Sequence, residues 1–156
     1  DRFALHTGEL ADTRFLENLR MEASPVQLVM ANPPWRLVGS GRLPATEARR
    51  KALFGDKGTF PLFASAASSL LEEDGRFACI ISPDRLQDML AALDGAGLTP
   101  YLLQYIHKQK TSPATFVLIE ARKGAHAKPS VAEPIALYGP ECFFTLESLA
   151  FCPFLR

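Results

Sequence analysis

A short apolar run that ends in two consecutive prolines constrains the fold of this chain more than any other feature. The run is Val26–Ala31, in which only Gln27 is polar, and the sequence Asn-Pro-Pro-Trp follows it at positions 32–35. Such a run predicts a parallel strand that is buried on both faces. Because proline lacks an N–H donor, the strand should end at this turn. Ligands of open α/β sheets bind at the carboxyl ends of strands, so the turn is a candidate site.

Strand-like and helix-like segments alternate along the chain, which predicts an α/β fold. The predicted order is strand, helix, strand, helix, strand, helix and then a hairpin. The last two strands are too close in sequence for a parallel crossover, so they should pair in antiparallel fashion. Strands are predicted at 3–7, 26–31, 76–82, 101–106 and 115–121. Helices are predicted at 46–53 and 59–71, and two more are predicted to begin at residues 13 and 83. A polar turn is predicted at 72–75.

The length and composition fit one globular domain with an apolar tail. The chain has 156 residues, of which 47% are apolar, and this is enough for a single core. Residues 1–124 are predicted to form a partial α/β domain, and residues 125–156 a carboxyl-terminal tail that docks on it. The formal net charge of zero argues against a chain-wide nucleic-acid footprint but permits a local basic patch.

The cysteines and histidines give no sign of a metal site. Cys79, Cys142 and Cys152 are scattered, and so are the three histidines, so no metal is predicted. An odd number of scattered cysteines fits a reducing compartment, and the expected location is the cytoplasm. No apolar run approaches the length that spans a membrane.

The turn at positions 32–35 has a specific chemical use. The nitrogen of an amino group on a base or a carboxamide is a poor nucleophile, because its lone pair is delocalised. Two fixed acceptors for its hydrogens would aim the lone pair at a methyl donor, and the candidates are the Asn32 side-chain oxygen and the Pro33 carbonyl. Pro33 and Pro34 make the turn rigid, and Trp35 offers a face on which a flipped-out base can stack. The alternative is an ordinary strand-ending turn with Trp35 as a cap on the core.

With these residues the chain resembles the class I S-adenosylmethionine-dependent methyltransferases that act on amino groups of bases or glutamine. It is similar to the bacterial tRNA (adenine) methyltransferases that modify adenine 37 of a valine tRNA, and also to the wider small-domain methyltransferases. The resemblance rests on the turn and on three further stretches, residues 70–77, 113–124 and 133–138.

The resemblance implies the carboxyl-terminal portion of a Rossmann-like methyltransferase sheet, with parallel strands, helices and a final antiparallel hairpin. The strand order of that fold is 3-2-1-4-5-7-6. It further implies S-adenosylmethionine as cofactor, contacted by Glu9 and Asn32, and tRNA as partner. Residues Asn32, Pro33, Pro34 and Trp35 would be catalytic, with Trp35 also binding the substrate.

The chain departs from the family at the cofactor site. No glycine-rich loop precedes the turn, and the only Gly-x-Gly is Gly39-Ser40-Gly41, which follows no strand. Weak cofactor binding by this chain alone is therefore expected. Three alternatives stay open: methylation of guanine in ribosomal RNA, methylation of a protein glutamine, and a non-catalytic binding domain that retains only the substrate half.

Two basic segments are candidate contacts for RNA phosphates, and each could equally be an ordinary solvated surface. Their residues are Arg49, Arg50, Lys51, Lys108 and Lys110. Without the first two strands of the family fold, the strand at 26–31 would have an unpaired edge. We expect either a preceding segment or a second copy, as in a homodimer, to cover that edge.

Overall fold

The computed structural model describes residues 3–23, 25–37, 45–124, 128–141 and 143–152. Within them a mixed sheet packs against helices. The helices are α1 (Thr13–Ala23), α2 (Glu47–Leu53), α3 (Thr59–Leu70), α4 (Leu86–Gly95, preceded by a 3-10 turn at Pro83–Arg85) and α5 (Leu146–Phe151). The strands are β1 (Val26–Ala31), β2 (Arg36–Leu37), β3 (Phe54–Gly55), β4 (Leu71–Ile81), β5 (Leu98–Gln109), β6 (Ala114–Lys123), β7 (Ser130–Val131) and β8 (Ile135–Tyr138).

The main sheet has the strand order β1-β4-β6-β5-β7, and β8 also pairs with β5. β1 and β4 are parallel, whereas β6 runs antiparallel to both β4 and β5. β6, the second strand of the hairpin, thus lies between β4 and β5. The order β1-β4-β6-β5 corresponds to the part 4-5-7-6 of the family order. The predicted Rossmann-like α/β methyltransferase fold is confirmed, including the antiparallel hairpin at its end.

The core lies between the sheet and helices α3 and α4. Phe60 of α3, Phe77 of β4 and Met89 of α4 are almost completely buried, as are Leu93 and Val117. Each such side chain contributes about 1.5–3 kcal/mol relative to leaving it in water. The helices predicted at 59–71 and from residue 83 are confirmed, because they correspond to α3 and α4, which cover this side of the sheet.

The predicted strand at 3–7 is wrong. Residues 3–9 adopt neither helix nor strand, and the side chains of Phe3 and Leu5 are 91% and 94% exposed. The segment is apolar enough for a strand, but a strand must pair its backbone with a neighbour. No described strand lies beside it. The first regular element is α1, which Asp12 caps by accepting hydrogen bonds from the backbone N–H groups of Arg14 and Phe15.

The predicted turn at 72–75 is absorbed into β4, which begins at Leu71 directly after α3. Polar residues and Gly75 do interrupt the ladder: Val26 pairs with Leu71, yet Leu28 pairs with Arg76. The extra residues of β4 form an irregularity in which Asp74 has a φ of 62°. The turn signal therefore marks a bulge inside a longer strand.

The prediction that the strand at 26–31 is buried on both faces is also wrong. Leu28 and Met30 of β1 are 44% and 76% exposed, whereas Val29 packs against the core. β1 is the edge strand of the described sheet, and no described helix covers its second face. A groove of about 550 Å³ runs over that face. Its lining is mainly apolar and includes Met30, Ile80, Leu118 and Phe151.

The segment after β6 returns to the sheet. β8 pairs with β5 in parallel, and α5 packs on β8. The Thr145 side chain caps α5 by accepting from the Ser148 N–H and donates to the Ala136 carbonyl. No helix in the described part of the chain is both long and apolar enough to cross a membrane.

Candidate active site

The turn at 32–35 follows the carboxyl end of β1, which lies beside the carboxyl end of β4. Asn32 is exposed, and its carboxamide makes no hydrogen bond to any described residue. Pro33, in contrast, is less than 2% exposed. The buried ring anchors the backbone while the carboxamide next to it is free to accept a ligand's hydrogen. The Pro33 carbonyl is not open to solvent in this structure.

Trp35 packs against the core, and its stacking on a base stays a prediction. The side chain is half-buried and packs against the core. Its ring meets Phe116 of β6 edge-to-face, with 6.2 Å between the centroids and an interplanar angle of 74°. The guanidinium of Arg36 lies 5.4 Å from the centroid of the same ring. Trp35 is therefore held by neighbours on two sides and still has an accessible part.

A buried arginine holds the exit of the turn. Arg85, in the 3-10 turn after β4, is 4% exposed. Its Nη1 donates to the Trp35 carbonyl at 2.9 Å, and its Nε donates to Asp88 Oδ2 at 2.7 Å. The guanidinium also lies 4.6 Å from the centroid of the Phe60 ring. Sequence reasoning missed Arg85 and Phe116, because both reach Trp35 only through the pairing of distant strands.

The turn is also packed against a glycine. Gly55 of β3 is so close that a Cβ on it would lie 2.5 Å from the Pro34 carbonyl oxygen and 2.7 Å from Thr59 Oγ1. β3 itself pairs with β2, which begins at Arg36. The backbone on the far side of the turn is thus fixed by a second, small sheet.

Of the two residues expected to contact a cofactor, the structure gives only Asn32 a place in this site. Glu9 is exposed, and only its backbone carbonyl is engaged, by the Asp12 N–H at 3.0 Å. No hydrogen bond or ion pair joins Glu9 to the turn within the described residues. Gly39-Ser40-Gly41 lies outside them.

The basic segments lie at the same end of the sheet as the turn. Phe116 touches Trp35, so the hairpin loop that precedes β6 lies on this side, and Lys108 and Lys110 are exposed there. α2 leads into β3 beside the turn, and Arg49 is exposed on it. Arg50 and Lys51 belong to the same helix, with their side chains outside the described part.

The cysteines and acidic groups of the described residues add no second centre. Burial raises the pKa of the Cys79 thiol from 9.0 to about 12, so this thiol stays neutral at physiological pH. Among the described residues no group of three His, Cys, Asp or Glu side chains is gathered as a metal site would require.

Comparison with known proteins relates the chain to methyltransferase structures. No protein-family model and no curated protein matches the sequence. A crystal structure of a protein described as a predicted O-methyltransferase from Agrobacterium tumefaciens matches with a TM-score of 0.61 and 22% identity. The match covers 87% of this chain and 55% of that protein, so the chain spans about half its length. The M1.HpyAVI complex with S-adenosylmethionine matches with a TM-score of 0.45 and 11% identity, over 81% of this chain and 62% of that one. The first match shows a shared fold, and the second is too distant to add to it.

Proposed function

We propose that this chain forms the substrate half of an S-adenosylmethionine-dependent methyltransferase that acts on an exocyclic amino group, namely that of adenine in tRNA. The observation that carries the proposal is the Asn32 carboxamide. It is exposed, has no described protein partner, and projects from a rigid turn at the carboxyl end of β1. The fold shared with a structure described as a predicted O-methyltransferase supports the methyltransferase part of the proposal and does not bear on the acceptor.

In the proposed reaction the turn orients the amino nitrogen. One amino hydrogen is donated to Asn32 Oδ1, which raises the electron density on the amino nitrogen and reduces the delocalisation of its lone pair into the base, so that the lone pair points toward the methyl donor. The second is donated to the Pro33 carbonyl, which must become accessible when the base enters, since Pro33 is buried in the free protein. S-adenosylmethionine would supply an electrophilic methyl group, with cleavage of its sulfur–methyl bond and release of the thioether S-adenosylhomocysteine. The surplus amino proton leaves after transfer, so the site needs no general base.

Trp35 is proposed to stack the base. Base–aromatic stacking contributes about 1–3 kcal/mol per base. The edge contact with Phe116 fixes the ring plane, and the nearby Arg36 guanidinium adds positive charge close to the bound base. The exposed Lys108, Lys110 and Arg49, together with Arg50 and Lys51, would bind RNA phosphates around the site, because both segments lie at this end of the sheet.

The described residues do not form a complete cofactor cradle. Asn32 and Glu9 are the candidate contacts, but no glycine-rich loop following a strand is present among them. We therefore infer that the donor side is completed by further polypeptide or by a second copy that covers the β1 edge. The exposed Leu28 and Met30 on the open face agree with such a cover.

The alternatives differ in what they require of the turn. Guanine and glutamine present the same kind of amino group, so the turn alone does not separate them from adenine. Methylation of a hydroxyl group needs a base to remove its proton. The Asn32 carboxamide is not a base, and this favours an amino acceptor. A non-catalytic binding domain would retain stacking on Trp35 without any methyl transfer.

The product of the complete gene tests this proposal. It is incubated with S-adenosylmethionine carrying an isotope-labelled methyl group and with unmodified tRNA, ribosomal RNA or a glutamine-containing peptide. Nucleosides and peptides are then analysed by mass spectrometry. We expect label on the amino nitrogen of adenosine from tRNA. Label on a ribose hydroxyl, or base binding with no label in any substrate, would contradict the proposal.

A further inference from the structure

The side chain of Arg85 is the feature of this molecule that the proposed reaction does not yet use. It is a charged group at 4% exposure that reaches a backbone carbonyl fifty positions earlier in the chain. A buried charge is retained only where its hydrogen-bonding capacity is used. The partners that Arg85 has in this structure are the Trp35 carbonyl and Asp88, with the Phe60 ring against its plane.

These contacts join the carboxyl ends of the two parallel strands. β1 ends in the turn at 32–35, and β4 ends in the 3-10 turn that contains Arg85. The guanidinium is planar and holds its N–H groups in a fixed fork. With Nε committed to Asp88 at 2.7 Å, the direction of Nη1 is set, and so is the position of the Trp35 carbonyl 2.9 Å away.

The carbonyl is the only part of Trp35 with a charge-assisted hydrogen bond among the described residues. Its position fixes the peptide plane that follows the Trp35 Cα, and thereby the start of β2. The ring of the same residue has an edge contact with Phe116 and lies near the Arg36 guanidinium. Loss of the Arg85 bond would therefore free the backbone from which the ring projects.

We propose that Arg85 is the positioning residue of this site, with Asp88 orienting it, and that it sets the place of Trp35 and of the Asn32 carboxamide relative to an incoming base. The inference rests on the proposed function for its catalytic consequence. Its structural part, the placing of Trp35 by Arg85, stands independently of any reaction.

Two variants separate positioning from general support of the fold. Arg85→Met keeps a long apolar stem and removes the charge and all N–H donors. Arg85→Lys keeps the charge, but a single ammonium group lacks the planar fork that serves Trp35 and Asp88 together. The matched control is Arg122→Met. Arg122 also stacks on an aromatic ring, that of Tyr101 at 4.0 Å, and its described contacts do not include the turn.

The first measurement needs no substrate. Trp35 is the only tryptophan in the chain, so its emission reports on the turn alone. We expect Arg85→Met to raise the acrylamide quenching constant of Trp35 at least twofold, Arg85→Lys to raise it less, and Arg122→Met to leave it unchanged. Quenching that is equal in wild type and both Arg85 variants would overturn the inference.

The second measurement is methyl transfer by the product of the complete gene, at a temperature where circular dichroism shows every variant to be folded. We expect kcat to fall about 10–100-fold in Arg85→Met, because small misplacements of reacting groups have effects of this size. Partial rescue is expected in Arg85→Lys. A variant with a lower unfolding midpoint but an unchanged kcat would show that Arg85 only supports the fold, and would overturn the inference.

Failure of the proposed function gives a different pattern. If the wild type transfers no methyl group to any substrate, the function has failed, and the quenching measurement alone decides whether Arg85 positions Trp35. If Arg85→Met does not fold, both the quenching of Trp35 and the methyl transfer are measured in Arg85→Lys.

Discussion

Gly55→Ala is expected to destabilise the protein by disturbing the turn at 32–35. The added Cβ would lie 2.5 Å from the Pro34 carbonyl oxygen and 2.7 Å from Thr59 Oγ1, whereas ordinary contacts begin at 3.4 Å. The first of these atoms belongs to the backbone of a proline and cannot rotate away. Because Gly55 does not have a positive φ, the predicted cost is steric and does not include backbone strain.

The size of the effect follows from the overlap. Forcing one extra carbon into a packed site costs typically about 1–3 kcal/mol. A loss of about 2 kcal/mol changes the folding equilibrium roughly 30-fold. For a chain of this length it lowers the melting temperature by about 4–8 °C. The Pro34 carbonyl must also shift by several tenths of an ångström. This shift displaces Trp35, which is the next residue.

Urea unfolding followed by circular dichroism and by Trp35 emission measures both consequences. The matched control is Gly95→Ala at the end of α4, where an added Cβ has nothing within 4 Å. This change should be neutral or stabilise the helix by up to about 1 kcal/mol. We expect a lower midpoint and an altered native Trp35 emission only in Gly55→Ala. Equal midpoints in the two variants would refute the packing argument.

Three further predictions concern charge, thiol reactivity and the pH dependence of stability. Replacing both Lys108 and Lys110 with Glu should weaken tRNA binding and lower the slope of log affinity against log salt by about 2, measured by fluorescence anisotropy; Lys128→Glu, near the opposite end of β5, should change neither. Cys79 should react with a thiol reagent at pH 8 far more slowly than Cys152, because its pKa of about 12 leaves little thiolate. Since this folded pKa lies above the ordinary 9.0, the stability held below pH 9 should decline as the pH rises from 9 towards 12; urea midpoints that stay constant across that range would contradict the assignment.

The sequence predicted the elements that depend on local pattern. Apolar spacing located helices α3 and α4, and the short interval between β5 and β6 identified their antiparallel pairing. These features depend on residues that are close together in the sequence. The turn at 32–35 was located for the same reason, since prolines act on their own backbone.

What the sequence did not predict depends on neighbours far along the chain. The segment at 3–7 has the composition of a strand but no described strand to pair with. The open face of β1 looked buried because Leu28 and Met30 are apolar, yet no described element lies over them. Arg85 comes to the turn only because β4 lies next to β1 in the sheet, and Phe116 only because β6 lies next to β4. The local sequence pattern does not indicate which distant strands will pair.

The claim that Asn32 accepts an amino hydrogen is tested most directly by the rate of methyl transfer in Asn32→Ala. Asn32 is exposed and makes no hydrogen bond to a described residue, so its truncation should leave the free energy of unfolding in urea within about 0.5 kcal/mol of wild type. We expect kcat on unmodified tRNA to fall about 100–1,000-fold, the usual loss when one preorganised polar group at a reacting centre is removed. A variant that folds normally and retains wild-type kcat would contradict the account.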